Sequence, residues 1–299
     1  MSAIFVGVDV GGTKTSAVVG TATDILSRAS GPGAAVRPGR ALASAQTIAE
    51  VARKALAASG QLSASVLVVG AAGAGRAAER EELEQALGRE KIADKVTVTT
   101  DIELALVAAF GNDPGIVLSA GTGSIALGRD ATGATHRVGG YGWQMGDEGS
   151  GYGIGRAALG AVSRAHDGRG PDTRLTLRVM AAAKARTFDQ LINWATLATP
   201  ADVAALAPGV IEMAAHGDTV AQGILDYAVR ELALLATALQ GPVGVTPVPV
   251  ALSGGLLGDA GPLRAPVIAK LRETRTLHVR EEPVEGALGA LAMARGGKA

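Results

Sequence analysis

The chain has no cysteine, few aromatic side chains and no excess of either charge over its 299 residues. The absence of cysteine excludes disulfides, cysteine-ligated zinc, iron–sulfur clusters and cysteine nucleophiles, and it suits a reducing cytoplasm. A formal net charge of zero gives no electrostatic reason to expect nucleic acid or an anionic membrane as a partner. The most apolar segment, residues 231–239, is too short to cross a bilayer. We therefore expect a cytoplasmic protein that binds neither nucleic acid nor membrane.

The strongest pattern present lies in the first fifteen residues. A β-branched apolar run over residues 4–10 carries Asp9 near its end and leads into Gly11-Gly12-Thr13. This order predicts a buried strand with a carboxylate at its tip, followed by a tight turn with exposed N–H groups. Such a turn suits phosphate oxygens, and Asp9 is placed to hold a hydrated Mg²⁺. The alternative is an ordinary glycine-rich hairpin, in which Lys14 is simply a solvated side chain.

The same plan recurs in the second half of the chain. An apolar strand over residues 116–119 precedes Gly121-Thr122-Gly123-Ser124, and a returning strand follows over residues 125–128. This second hydroxyl-bearing turn suits the β- and γ-phosphates of a nucleotide, again with an ordinary hairpin turn as the alternative. Ligands of open α/β sheets bind at the carboxyl ends of strands, where both turns fall.

The predicted fold is therefore α/β, with two similar domains facing a nucleotide cleft after an internal duplication. We expect one domain over residues 1–112, completed by the C-terminal helix in 284–299, and the other over residues 113–283. The pattern predicts strands at 4–10, 16–22, 25–30, 66–70, 96–100, 116–119, 125–128 and 248–253, and helices at 41–59, 77–88, 103–110 and 284–296.

A candidate general base follows the predicted strand at 96–100. Thr99-Thr100-Asp101 stands where that strand ends and a helix begins. A carboxylate at this point can reach a ligand in a cleft and accept the proton of a sugar hydroxyl that attacks a γ-phosphate. Aspartate is also common as a helix N-cap, and the local sequence by itself favours the cap.

The glycine-rich loop over residues 139–152 concentrates the rare aromatic side chains. It contains Tyr141, Trp143 and Tyr152, beside the acid Asp147. Aromatic faces next to acids are typical of sugar sites. In the alternative interpretation the rings cap the core and Asp147, Glu148 and Ser150 begin a helix. We interpret Asp147 as a sugar ligand and leave the role of Glu148 open.

Taken together, these motifs resemble the BadF/BadG/BcrA/BcrD ATPase family, in particular its N-acetylglucosamine kinase branch, within the actin, Hsp70 and sugar kinase superfamily. The resemblance covers nearly the whole chain. It rests on Gly7-Val8-Asp9-Val10-Gly11-Gly12-Thr13-Lys14-Thr15, Gly70-Ala71-Ala72-Gly73, Thr100-Asp101, Ser119-Ala120-Gly121-Thr122-Gly123-Ser124, Met145-Gly146-Asp147-Glu148-Gly149-Ser150-Gly151 and Leu252-Ser253-Gly254-Gly255.

The resemblance implies two ribonuclease H-like, actin-like ATPase domains and a homodimeric, ATP- and Mg²⁺-dependent kinase. Its substrate would be an amino sugar, N-acetylglucosamine or glucosamine, whose hydroxyl receives the γ-phosphate. It implies Asp101 as the base and as a sugar contact, and Asp9 as a Mg²⁺ ligand acting through water. The other implied contacts are Gly11, Gly12, Thr13, Thr122, Gly123, Ser124, Gly254 and Gly255 for the nucleotide, and Gly140 and Asp147 for the sugar.

The chain departs from the family pattern on the sugar side. Kinases of this group usually follow their Gly-Pro with an Asn that holds sugar hydroxyls, but residues 31–39 contain none. Tyr141 and Gly153 stand where the family generally has Trp. The sugar is thus left open, and Arg37 suggests an acidic or otherwise altered one.

The sequence argues against two other functions. An iron–sulfur activator of acyl-CoA dehydratases needs cysteine ligands that the chain lacks. A non-catalytic sugar sensor on the same fold is disfavoured by the intact Asp101.

Overall fold

The computed structural model describes residues 3–296 and divides them into two compact units. The first unit comprises residues 3–115, 131–133 and 284–296, and the second comprises 116–130 and 134–283. The predicted boundaries followed residues 112 and 283, whereas the structural division follows residues 115 and 283. Across residues 3–296, no helix combines the length and apolarity that a membrane crossing requires.

The first unit is built on a five-stranded mixed sheet of order β3-β2-β1-β4-β5. Strands β1 to β3 form an antiparallel meander, and β4 and β5 run parallel to β1. Its elements are β1 (Phe5–Val10), β2 (Lys14–Gly20), β3 (Ile25–Pro32), α1 (Ala41–Ala58), β4 (Ala64–Ala71), α2 (Ala77–Arg89), β5 (Ala93–Thr99) and α3 (Asp101–Phe110).

The second unit repeats this strand order as β8-β7-β6-β9-β10. The sequence pattern did not predict two of these strands, β8 and β10. The first has five mostly polar residues, and the second has only three residues. The elements are β6 (Gly115–Ala120), β7 (Ser124–Arg129), β8 (Thr135–Gly139), α4 (Gly151–His166), α5 (Leu175–Ala182), α6 (Phe188–Leu197), α7 (Pro200–Ala204), α8 (Ala207–Ala215), α9 (Thr219–Thr237), α10 (Gln240–Val243), β9 (Val248–Ser253), α11 (Arg264–Arg272) and β10 (Leu277–Val279).

Each unit has its own apolar core. In the first, Val6, Val8 and Val10 of β1 pack against Ile48 and other buried residues of α1. In the second, Ile116 and Leu118 of β6 lie in a core built largely from helix residues. In both cores, β-branched side chains of the strands pack against small and apolar side chains of the helices.

The last helix, α12 (Gly286–Ala294), returns to the first unit and packs on β1 and α3. Glycines make the approach possible, since a Cβ on Gly7 would lie 2.2 Å from the backbone nitrogen of Leu291. A Cβ on Gly289 would lie 2.1 Å from the carbonyl oxygen of Leu104. Backbone-to-backbone packing of this kind fixes α12 closely, so its first residue has a defined position beside β1.

Candidate functional site

Two carboxylates meet at the carboxyl edge of the first sheet. In the strand register, Asp9 pairs with Gly70 and Gly70 pairs with Thr99, so the three residues lie side by side on β1, β4 and β5. Asp101 follows Thr99 by two residues and is the first residue of α3. Neighbouring strands lie about 4.8 Å apart, so the sheet holds Asp9 and Asp101 at one edge.

The N-cap of α3 is Thr100, so the interpretation of Asp101 as the cap is wrong. The Thr100 hydroxyl accepts a hydrogen bond from the Glu103 backbone nitrogen at 3.3 Å. The Glu103 carboxylate accepts one in return from the Thr100 nitrogen at 2.9 Å, which completes a capping box. Because Thr100 and Glu103 form the hydrogen bonds of the capping box at the start of α3, the Asp101 carboxylate is not the N-cap.

The two acids of this helix start differ in electrostatics. Burial raises the pKa of Asp101 above its usual value, against a partial offset from the Ile102 N–H, which donates to its Oδ1 at 3.0 Å. Burial also opposes ionisation of Glu103, but hydrogen bonds from Thr99 and Thr100 outweigh it and lower the pKa of Glu103. Glu103 thus stabilises the start of the helix as a carboxylate, whereas Asp101 takes up a proton more readily than an ordinary aspartate.

Asp9 lies close enough to Asp101 for their charges to interact. Burial, reinforced by the negative charge of Asp101, raises the pKa of Asp9 to about 6, while Lys14 acts in the opposite direction. The carboxylate also abuts the start of α12, where a Cβ on Gly286 would lie 2.5 Å from its Oδ2. Gly286 was not among the predicted site residues, because no local motif marks it.

This pair of carboxylates fits a magnesium ion held mainly by water and phosphate. No group of three or more His, Cys, Asp or Glu side chains suited to a metal occurs within residues 3–296, so a cage made only of protein is absent there. Mg²⁺ in nucleotide sites instead takes one or two carboxylates and keeps several waters. A divalent cation would also offset the burial of Asp9 and the repulsion from Asp101, which together raise the pKa of Asp9.

The first glycine turn, Gly11-Gly12-Thr13, is held by backbone hydrogen bonds. The Gly11 nitrogen donates to the Lys14 carbonyl at 2.9 Å, and the Gly11 carbonyl accepts from the Ala34 nitrogen at 3.2 Å. A Cβ on Gly33 would lie 2.2 Å from the Gly12 carbonyl oxygen. A Cβ on Gly12 itself would meet nothing within 4 Å. The turn therefore keeps its outer face open to a ligand.

Residues 31–39, here called the strap, run along this edge of the sheet. Besides its contact with the first turn, the strap pairs with the segment after β4, where the Val36 nitrogen donates to the Ala72 carbonyl at 2.8 Å. The Thr15 hydroxyl donates to the Pro32 carbonyl at 2.8 Å. Gly73, with φ of +88°, accommodates the strap because a Cβ there would lie 2.2 Å from the Val36 carbonyl oxygen.

The second glycine turn, Gly121-Thr122-Gly123-Ser124, is held by backbone hydrogen bonds and by one side chain. The Gly121 carbonyl accepts from the Gly151 nitrogen at 2.8 Å, and the Thr122 carbonyl accepts from the Tyr152 nitrogen at 3.1 Å. The Gly121 nitrogen donates to the Gly123 carbonyl at 2.9 Å, and the Ser124 nitrogen donates to Oδ1 of Asp147 at 3.1 Å. A Cβ on Gly123 would lie 2.7 Å from that same oxygen. Asp147 therefore braces the turn directly.

Asp147 does not belong to a helix, contrary to the alternative interpretation of this segment. It has φ of +65°, and its carbonyl accepts a hydrogen bond from the Ser150 hydroxyl at 2.6 Å. Ser150 is the N-cap of α4 and accepts from the Gly153 nitrogen at 3.1 Å. Burial, together with the nearby charge of Glu148, raises the pKa of Asp147 despite the Ser124 N–H.

Three further predicted residues lie around this turn. Ser119 pairs with Ser253 in the register of β6 and β9, which brings Gly254 and Gly255 to the same edge. A Cβ on Gly254 would lie 2.4 Å from the Ala120 carbonyl oxygen. The Gly140 nitrogen donates to the Ser124 carbonyl at 3.0 Å. The second unit thus gathers Gly140, Gly254 and Gly255 around one glycine turn.

The aromatic side chains of the loop divide into buried and exposed members. Tyr152 is buried, which agrees with a core role, whereas Trp143 is 47% exposed. Their ring centroids lie 5.6 Å apart. Tyr141 is also exposed, and the Arg137 guanidinium lies 5.0 Å from its ring centroid. This part of the loop therefore presents aromatic faces to the surroundings.

Several known proteins are similar to this chain. An N-acetylmuramic acid/N-acetylglucosamine kinase of Clostridium acetobutylicum is 35% identical over 58% of this chain and 58% of its own length. An N-acetyl-D-glucosamine kinase of Dictyostelium discoideum is 30% identical over 90% of both chains. The crystal structure of a Chromobacterium violaceum protein, provisionally named an N-acetylglucosamine kinase, is 28% identical, with a TM-score of 0.80 over 98% of this chain and 99% of that one.

The likeness extends to a whole-family model. The model of the BadF/BadG/BcrA/BcrD ATPase family matches residues 6–294, a range that contains both carboxylates and both glycine turns. The match and the two-domain α/β architecture confirm the predicted family and fold class, and the chain belongs to the BadF/BadG/BcrA/BcrD ATPase family.

Proposed function

We propose that this protein is an ATP-dependent kinase that transfers the γ-phosphate to a hydroxyl of an amino sugar, with N-acetylglucosamine or glucosamine as the simplest candidates. The observation that carries the proposal is Asp101, a carboxylate with a raised pKa at the carboxyl edge of a sheet. The capping box of Thr100 and Glu103 frees Asp101 from a structural role. The names of the relatives support the amino sugar as acceptor.

In the proposed reaction, Asp101 hydrogen-bonds the acceptor hydroxyl and takes its proton as the oxygen bonds to the γ-phosphorus. The bond from that phosphorus to the bridging oxygen breaks, and ADP leaves. Phosphoryl transfer requires positioning and charge neutralisation more than covalent catalysis. A single base beside phosphate-binding turns is therefore sufficient machinery.

Asp9 would hold Mg²⁺ through water, and when bound the ion would neutralise charge on the phosphate oxygens. Gly11-Gly12-Thr13 is proposed to bind phosphate through its backbone and hydroxyl groups, because its outer face is open. Asp9 has to be ionised for this role. The raised pKa of Asp9 therefore makes the proposed site sensitive to pH.

The second unit is proposed to supply Thr122, Gly123 and Ser124 to phosphate, and Gly254 and Gly255 to the adenosine. Asp147 is proposed to serve twice. Its Oδ1 accepts from the Ser124 nitrogen, while no described residue donates to its Oδ2, which is proposed to contact the sugar together with Gly140. A homodimer and a cytoplasmic location stay predictions.

A coupled assay of ADP release tests the proposal across N-acetylglucosamine, glucosamine, N-acetylmuramic acid, glucose and N-acetylmannosamine. We expect at least one amino sugar to stimulate ADP release well above the rate with ATP alone. Glucose serves as the neutral sugar without a nitrogen substituent. Failure of every sugar to stimulate release, in a preparation that binds ATP, would reject the kinase assignment.

A further inference from the structure

The strap offers a single polar side chain to any ligand at the carboxyl edge of the first sheet. Its nine residues are glycine, proline, alanine and valine apart from Arg37. Ala34 and Val36 are buried in the core of the first unit, and Arg37 is exposed. A ligand that met the strap would therefore find backbone groups and one guanidinium.

The backbone on both sides of Arg37 is fixed. On one side the Val36 nitrogen donates to the Ala72 carbonyl at 2.8 Å. On the other side the Arg40 nitrogen donates to the Arg37 carbonyl at 3.0 Å, which closes a four-residue turn. Pro38 in the second position and Gly39 with φ of +70° in the third position suit a type II turn. The start of the Arg37 side chain is thus held in one place.

The strap also places Arg37 at the edge that carries the two acids. The Ala72 nitrogen donates to the Val10 carbonyl at 2.9 Å, so Ala72 joins the ends of β1 and β4 to the strap. Asp9 precedes Val10 on β1, and Asp101 follows the end of β5, the strand next to β4. The arginine and the candidate base therefore belong to the same edge of one sheet.

The negative charges at this edge suggest a role for Arg37, a cation without an ion-pair partner among residues 3–296. Asp9 and Asp101 would repel a substrate that carries its own carboxylate. Among residues 3–296, the Arg37 guanidinium takes part in neither an ion pair nor a side-chain hydrogen bond. An arginine fork matches a carboxylate in two parallel hydrogen bonds and stays charged at any physiological pH.

We propose that Arg37 is a specificity-determining residue that binds the carboxylate of an acidic amino sugar, such as a sugar bearing a lactyl ether. This inference rests on the proposed kinase function and adds the class of acceptor. The guanidinium would offset the repulsion from the two acids and orient the sugar so that its free hydroxyl reaches Asp101. A neutral amino sugar would make no use of Arg37.

Kinetics on matched substrates test this assignment. The full-length protein and its Arg37→Ala and Arg37→Lys variants are assayed with N-acetylmuramic acid, its neutral methyl ester and N-acetylglucosamine. We expect Arg37→Ala to raise the KM for N-acetylmuramic acid about 10- to 100-fold, the range for a lost charge-assisted hydrogen bond. The KM values for the ester and for N-acetylglucosamine should change less than about twofold, and Arg37→Lys should fall between the extremes because lysine keeps the charge without the fork.

Arg40→Ala is the matched control, because Arg40 is the next exposed cation along the chain and closes the same turn through its backbone. It should leave the ratio of the KM values for acidic and neutral sugar unchanged. If Arg37→Ala raised both KM values equally, or raised the KM for ATP alone, the proposed carboxylate contact would be wrong. Failure of the wild-type protein to phosphorylate N-acetylmuramic acid while it turns over N-acetylglucosamine would also overturn it. Turnover of no sugar at all would instead reject the kinase function.

Discussion

The two glycine turns share a plan but are stabilised in different ways. The turn at Gly11-Gly12-Thr13 is held by backbone hydrogen bonds to Lys14 and to the strap. The turn at Gly121-Thr122-Gly123-Ser124 also receives backbone hydrogen bonds, from Gly151 and Tyr152, and in addition the carboxylate of Asp147 accepts from the Ser124 nitrogen. The acid near the second turn, Asp147, therefore stabilises its turn directly, whereas no such hydrogen bond links Asp9 or Asp101 to the first turn in residues 3–296.

Beside the first turn, Asp9 and Asp101 share an edge, and burial raises the pKa of both, with the charge of Asp101 adding to the shift at Asp9. Beside the second turn, one oxygen of Asp147 is used within the protein itself. Under the proposed function, the first unit supplies the two carboxylates with raised pKa values, and the second unit supplies a turn that Asp147 stabilises.

The largest expected effect comes from Asp101→Asn. Loss of a general base lowers turnover about 100- to 10,000-fold, and the isosteric amide should leave the KM for ATP nearly unchanged. Steady-state ADP release measures both parameters. Glu103→Gln is the matched control, because the amide oxygen can still accept from the Thr100 nitrogen. If Asp101→Asn kept turnover within threefold of wild type, Asp101 would not be the general base.

The next largest effects are expected from Gly12→Ala and Gly123→Ala, which compare the space around the two turns. A methyl group at position 12 meets nothing within 4 Å, so Gly12→Ala should keep the melting temperature while its Cβ obstructs the approach of phosphate. We expect the KM for ATP to rise about tenfold or more, the cost of roughly one lost hydrogen bond. Gly123→Ala should differ in kind, since its Cβ would fall 2.7 Å from Oδ1 of Asp147.

For Gly123→Ala we expect a lower melting temperature together with a higher KM for ATP. Displacing the Asp147 carboxylate leaves the Ser124 nitrogen without its acceptor, at a cost of about 1–3 kcal/mol. Thermal denaturation and ATP titration of both variants measure the contrast. Equal losses of stability in Gly12→Ala and Gly123→Ala would mean that both turns are packed internally.

The sequence pattern located most of this scaffold because the relevant signals are local. The run of Val6, Val8 and Val10 reaches the core as predicted, and the glycines mark turns where the backbone must bend sharply. The extent of the polar strand β8 and the three-residue strand β10 was missed. Neither segment has enough alternation to distinguish it from a loop, and pairing within the sheet decides its conformation.

The limits at the candidate site have a similar cause. Thr100 and Asp101 are both acceptable caps in sequence, and only the backbone hydrogen bonds assign the role to Thr100. Gly33 and Gly286 are needed because distant backbone or side-chain atoms approach them, and a single sequence carries no sign of that approach. Asp147 was predicted from its neighbours, but its bond to the Ser124 nitrogen depends on a contact across 23 residues.

The pH dependence of kcat/KM for ATP should report the acids of the first unit, because this ratio follows the pKa values of the enzyme before nucleotide binds. The raised pKa of Asp101 and the value of about 6 for Asp9 mean that both acids take up protons at higher pH than ordinary aspartates. The value of kcat/KM should therefore fall below about pH 6 and lose roughly a factor of ten by pH 5. A series of rates at limiting ATP and saturating sugar between pH 5 and 8 measures it.

Unfolding would not explain this loss of activity, because the same two acids stabilise the folded protein as the pH falls. A carboxyl whose pKa is raised on folding binds protons more tightly in the native state, so these groups add stability as the pH falls through about 6. The melting temperature measured at pH 5 and pH 7 is the control for the rate profile. A constant kcat/KM for ATP down to pH 5 would show that neither acid has to be ionised for nucleotide to bind and react.

The smallest effect, and the finest separation of roles, is expected at Asp147. Asp147→Asn keeps an oxygen that can accept from the Ser124 nitrogen, and asparagine tolerates the positive φ of +65°. The KM for ATP should therefore stay within about twofold of wild type, while the KM for the sugar rises several-fold as a charged acceptor becomes a neutral amide. Asp147→Ala removes the brace as well and should raise both KM values. If Asn and Ala raised the KM for ATP equally and left that for the sugar unchanged, Asp147 would serve the turn alone, and the sugar contact proposed for Oδ2 would be wrong.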